Sequence, residues 1–186
     1  MSHTEDAANS HITPIVENER MMKRAEHVPP GEGRRSLWLW GERLTYKVPS
    51  HMTGGAYGLF EAATPPGAGP PPHVQHREDE AFYVIEGEYE FLIGGHTLRV
   101  CAGSLIYVPK GALHAHKSAG EGVGRMLLTQ TPGGLYERFF EEVGKPVDVG
   151  GQLAFGEQQP EAKGIVKIAA EHGIEIPPPV AQHGRA

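Results

Sequence analysis

The 186-residue chain reads as an all-β protein, an antiparallel sandwich or barrel followed by a short helical segment. Three observations predict this. Short β-prone runs recur between residues 37 and 131, with turn signals every few positions. The 25 glycines and 16 prolines follow no collagen or linker period, and they punctuate many short strands better than a few long helices. Strands do not alternate with helices, which excludes a doubly wound parallel sheet.

Residues 1–34 are charged, broken by proline and weakly patterned, so a flexible N-terminal segment is expected. Residues 12–16 are its one strand-like stretch, an edge strand or an arm onto a partner. The barrel is expected over 35–131. It begins with the apolar run 37–40, turns at Gly41-Glu42, and continues through the alternating strand 44–48. After a turn at Gly54-Gly55, residues 56–61 form a strand. The stretch TPPGAGPPP (64–72) holds too much proline and glycine for a ladder and reads as a rigid loop. Residues 81–86 form a strand, Gly87-Glu88 a hairpin turn, and 89–93 its return. Strands over 97–101, 105–108, 114–117 and 125–130 follow. A C-terminal helical extension is expected over 132–176. Its first helix carries Leu135, Phe139 and Val143 on one face, and its second spans 161–172. Residues 177–186 read as a loose tail.

Composition excludes several classes of function. A net charge of −6 without a basic run argues against nucleic acid as a partner. No apolar run approaches the ~20 residues that cross a bilayer, and the N-terminus lacks the apolar core of a secretory signal. A cytoplasmic protein with no membrane partner is the expectation. The single cysteine, Cys101, follows an apolar run and reads as a buried structural thiol. Of the 11 histidines, His3, His11, His27, His172 and His183 lie in polar or terminal segments and read as solvated.

The chemistry concentrates in PPPHVQHREDEAFYVIEG (70–87) and GSLIYVPKGALHAH (103–116). Residues two apart in a strand share a face, so His73 points with Gln75 while His76 points away. Glu80 joins His73 if the following strand sends Glu80, Phe82 and Val84 inward. His114 and His116 share a face of their own strand. A barrel could therefore bring His73, Glu80 and His114 to one ion, and two imidazoles with a carboxylate suit a divalent transition metal with open positions. Arg77-Glu78-Asp79 reads as an exposed bend. Phe82, Phe91, His116, Met126 and Leu128 are candidates for core or substrate-pocket lining.

The two stretches resemble the two motifs of the cupin superfamily. Gly67 or Gly69, His73, Glu80 and Gly87 match the first, and Gly103, Pro109, Gly111 and His114 match the second. The resemblance covers residues 37–131 and is nearest to single-domain bacterial cupins of the quercetin 2,3-dioxygenase-like kind. It implies a double-stranded β-helix, or jelly-roll barrel, and a homodimer with the N-terminal segment as a candidate exchanged arm. One position departs from the pattern. Gln75 stands where the family places a second histidine, so it is a weak fourth ligand or a hydrogen-bonding neighbour of the metal. The expected function is a metal-dependent dioxygenase, an oxidoreductase using iron, manganese, nickel, copper or zinc on a small aromatic or enol substrate. Glu80 is its candidate catalytic base. A binding cupin without turnover and a metal-dependent isomerase or lyase are the alternatives.

Overall fold

The computed structural model describes residues 13–16, 25–150 and 162–178. Among the described residues, fourteen strands and three helices follow in chain order. β1 (Thr13–Val16) and β2 (Ala25–His27) pair as a small separate sheet. β3 (Ser36–Leu39) and β4 (Glu42–Val48) form a hairpin, and the four-residue α1 (Ser50–Thr53) leads to β5 (Gly58–Thr64). β6 (His73–Gln75), β7 (Asp79–Glu86), β8 (Glu88–Ile93) and β9 (His96–Cys101) come next. β10 (Leu105–Val108), β11 (Leu113–Ser118) and β12 (Gly124–Thr131) complete the barrel. The chain ends in α2 (Leu135–Val143), β13 (Lys145–Val147), α3 (Ala162–Glu171) and β14 (Ile174–Glu175). The mobility expected of the N-terminal segment and the tail falls mostly outside the described residues.

Two antiparallel sheets face each other, one ordered β10-β7-β12-β5-β4-β3-β13 and the other β14-β6-β11-β8-β9. Consecutive strands mostly belong to different sheets, and this alternation is what makes the barrel. The turn at Gly87 is therefore no hairpin. β7 pairs with β10 and β12, whereas β8 pairs with β11 and β9. Gly87 crosses between the sheets at φ 84°, and a Cβ there would lie 2.9 Å from the Gly124 Cα. Only glycine fits such a crossing without strain.

The core lies between the sheets. Phe60, Phe82, Val84, Met126 and Leu128 alternate inward from one sheet and Tyr89 and Phe91 from the other. α2 closes one side, with Phe140 edge-on to Phe60 at 5.7 Å and Phe139 tilted against Trp40 at 5.7 Å. Its buried face is Tyr136, Phe139, Phe140 and Val143, with Leu135 only half-buried. The helix is thus rotated from the face centred on Leu135, because Tyr136, Phe139, Phe140 and Val143 at i, i+3, i+4 and i+7 make a wider apolar stripe.

Three local expectations change. The β3–β4 turn is Trp40-Gly41, with both residues at positive φ (52° and 77°), and Glu42 is the buried first residue of β4. Cys101 is exposed, since β9 is the outer strand of its sheet and its residues are mostly solvent-facing. Glu78, expected in an exposed bend, is 2% exposed. Among the described residues no helix is long and apolar enough to cross a membrane.

Candidate metal centre

β6 and β11 pair with His73 opposite His114, which sets the two rings 4.2 Å apart. Glu80 reaches them from β7, across the barrel. All three side chains are buried, and one ligand atom from each lies within 4.8 Å of the others. Strand alternation thus brings together the three residues that the sequence singles out. Gln75 is also buried, two residues from His73 on the same face, and His76 is turned out to pair with Glu175.

The hydrogen bonds prepare both imidazoles for a cation. His73 Nδ1 lies 2.9 Å from the Pro71 carbonyl and His114 Nδ1 lies 3.0 Å from the Ala112 carbonyl. A carbonyl only accepts, so each Nδ1 carries the proton and each Nε2 of a neutral ring presents its lone pair. His114 Nε2 is 2.7 Å from Glu80 Oε2. Two lone pairs at that separation repel, so a positive centre must sit there, either a second proton on His114 or a metal ion. The donor set therefore fits a divalent cation, and the site is built to exchange one proton for it.

The electrostatics agree. Burial, together with the neighbouring His114 charge, pushes the His73 pKa down to about 4, so this ring is neutral. Burial alone would raise Glu80 and lower His114. Their mutual hydrogen bond and charge reverse both shifts, leaving Glu80 lowered and His114 raised. Gln130 Nε2 donates to Glu80 Oε1 at 3.3 Å and orients the carboxylate. A carboxylate held this way is a weak proton acceptor near neutrality, which does not favour Glu80 as the base.

Gln75 is the unresolved member of the group. Its carboxamide lies close to Glu80 and to Tyr136; it adds to the lowering of the Glu80 pKa and partly opposes the rise that burial imposes on Tyr136. Neither Nε2 nor Oε1 completes a hydrogen bond of acceptable geometry. A buried amide with both atoms unpaired is costly, and a bound ion or ligand would supply the missing partners.

Sequence reasoning missed four residues here. Tyr136, from α2, places its hydroxyl 3.5 Å from His73 Nε2. Glu78 Oε1 accepts the Tyr136 backbone N–H at 2.7 Å and anchors the first turn of α2. Burial pushes the Glu78 pKa up to about 7. Glu42 accepts from Thr64 Oγ1 at 3.0 Å and from His116 Nε2 at 3.2 Å. Gln130 is the fourth, and it had a signal, since it continues the inward alternation of Met126 and Leu128. Glu42 had the same signal with Leu44 and Tyr46.

The cavity between these groups is about 10 Å³, room for one water or ion. Trp40, Glu42, His73, Glu80 and Tyr136 form much of its wall, and Phe82, His116 and Leu128 complete the side facing the core. Phe91 and Met126 are fully buried and are not on that wall.

Comparison with known proteins identifies the architecture. The cupin domain family matches residues 60–129. An uncharacterized protein of Streptomyces coelicolor is 30% identical over 92 residues, covering 50% of this chain and 81% of the relative. The chain belongs to the cupin superfamily. This cupin is also 28% identical over 110 residues to mannose-1-phosphate guanylyltransferase 2 of Escherichia coli O157:H7, matching 59% of this chain but only 21% of that enzyme. A Thermotoga maritima structure described as a predicted oxalate decarboxylase superposes with a TM-score of 0.52 at 19% identity, covering 57% of this chain and 98% of that one. At such identity the likeness is one of fold.

Proposed function

We propose that this cupin is a metal-dependent enzyme that acts on a small enol or phenol with dioxygen as co-substrate. The observation that carries the reading is the buried His73–Glu80–His114 group, with both Nδ1 protons tied to backbone carbonyls. A bound divalent transition metal (iron, manganese, nickel, copper or zinc) would supply Lewis acidity and, where redox-active, a route for electrons to dioxygen. The chain's own part is to hold and orient. His73 and His114 offer neutral nitrogen, Glu80 offers charge, and Gln130 fixes the carboxylate. Trp40, Phe82 and Leu128 keep water from the centre.

Oxygen uptake by metal-reconstituted protein tests this, with ascorbate-like enediols, catechols and flavonols as substrates. Turnover should require both metal and dioxygen. Substrate loss at the same rate under anaerobic conditions would replace the oxygenase with an isomerase or lyase. A second reading, a binding cupin without turnover, is favoured by the small free volume beside the three ligands, about 10 Å³. Stoichiometric metal with no reaction on any of these substrates would support it. The homodimer remains part of the proposal. Exposed Leu105 and Tyr107 on the outer strand β10 support it, and sedimentation velocity tests it.

A further inference from the structure

The matched cupin domain ends at residue 129, yet one wall of the cavity comes from beyond it. α2 begins after Gly133-Gly134 and has no side-chain cap of its own. Glu78 takes that place from the bend two residues before Glu80, accepting the Tyr136 N–H at 2.7 Å. The helix is therefore docked onto the same segment that carries the carboxylate ligand. This docking sets the Tyr136 ring nearly parallel to His73, with centroids 6.3 Å apart, and brings its hydroxyl within 3.5 Å of His73 Nε2.

We propose that Tyr136 and Gln75 form a donor pair that holds an anionic oxygen of the ligand against the metal centre. The inference rests on the reading that His73, Glu80 and His114 hold a divalent cation. Once His73 Nε2 is committed to a cation, the Tyr136 O–H loses that weak acceptor at 3.5 Å. Gln75 Nε2 already lacks one. Both groups are 2–3% exposed, so water from outside does not serve them. An oxygen within reach of a phenol O–H, an amide N–H and a cation is a carboxylate or enolate oxygen. The donors and the cation together select small oxyanions, and α2 lines the cavity beside them through Tyr136 and Phe140. Tyr136 is on this view a positioning and specificity residue supplied by the C-terminal extension.

The test uses the full chain loaded with Co(II), whose visible absorption reports both uptake of the ion and changes in its ligands. Glycolate is the probe, a compact carboxylate with a neighbouring hydroxyl. Tyr136→Phe should weaken glycolate at least about tenfold, the loss of one hydrogen bond to a charged group. The same variant should leave Co(II) affinity within about threefold and the melting temperature of the metal-free protein within a few degrees, because the ring still fills its place. Gln75→Leu should weaken glycolate in the same way. Glycolate affinity unchanged in Tyr136→Phe overturns the proposal. So does a loss that is matched by an equal loss of Co(II) affinity or by a large fall in melting temperature, which would make Tyr136 purely structural. Failure of glycolate to perturb the wild-type spectrum also overturns it while sparing the metal reading. No Co(II) uptake by the wild type overturns the metal reading itself.

Discussion

Two buried carboxylate–imidazole pairs occupy one barrel, Glu80 with His114 at 2.7 Å and Glu42 with His116 at 3.2 Å. Their histidines are two apart on the same strand and face the same interior. The surroundings separate them. Glu80–His114 has a third donor in His73, and the Nδ1 atoms of both rings are tied to backbone carbonyls. Glu42–His116 has Thr64 as its third member, with Tyr89 donating to Thr64 at 3.2 Å, and His116 Nδ1 has no partner. The first pair converges on a point where a cation fits. The second joins β4 and β5 of one sheet to β8 and β11 of the other by hydrogen bonds. Carboxylate and imidazole in contact are not enough to make a metal site; a third lone pair and fixed tautomers decide it.

The difference can be broken in steps. His114→Ala should lower Co(II) or Ni(II) affinity by about 1000-fold, measured by chelator competition, through loss of a whole ligand. His116→Asn should change it less than about threefold, and a comparable loss there would erase the distinction. Glu42→Ala should cost about 3 kcal/mol of stability in urea unfolding of the metal-free protein, because His116 and Thr64 are left buried without their acceptor. It should leave metal affinity nearly intact.

Acidity tests the first pair alone. His73 is held near 4 and Glu80 is lowered, so neither competes for protons above about pH 5. His114 is raised above its ordinary 6.5, so below that raised value its proton must be displaced by the metal. The logarithm of metal affinity should then fall by about one unit per pH unit as pH drops, and a slope of two would mean that His73 also protonates. A gain is expected from Gln75→His. An imidazole in place of a weak or absent ligand should raise metal affinity by about tenfold, and no gain would show that position 75 does not face the ion.

Much of the centre was legible because strand alternation is a local rule. His73 with Gln75, Glu80 with Phe82, and His114 with His116 all share faces as their spacing requires. The misreadings have equally concrete causes. Glu42 follows Gly41 and looks like a turn residue, but the turn closes one residue earlier, with Trp40 in the left-handed region and its ring 6.0 Å from His73. Glu78 sits in a charged bend and looks solvated until α2, nearly sixty residues later, places an N–H on its carboxylate. Cys101 ends an apolar run that lies on an outer strand.

The sequence by itself determined a barrel of short strands, and its two motifs resembled those of the cupin superfamily and singled out His73, Glu80 and His114. The barrel follows from period-two alternation and the spacing of turn residues, and the three residues follow from that alternation together with the motif resemblance. Only the tertiary structure decided what surrounds those three residues. The Gln75 amide without a partner, the second carboxylate–imidazole pair and the tyrosine from α2 all depend on contacts between segments far apart in the chain. Sequence spacing carries no record of such contacts, because burial and register across two sheets and a helix are settled only when the elements pack.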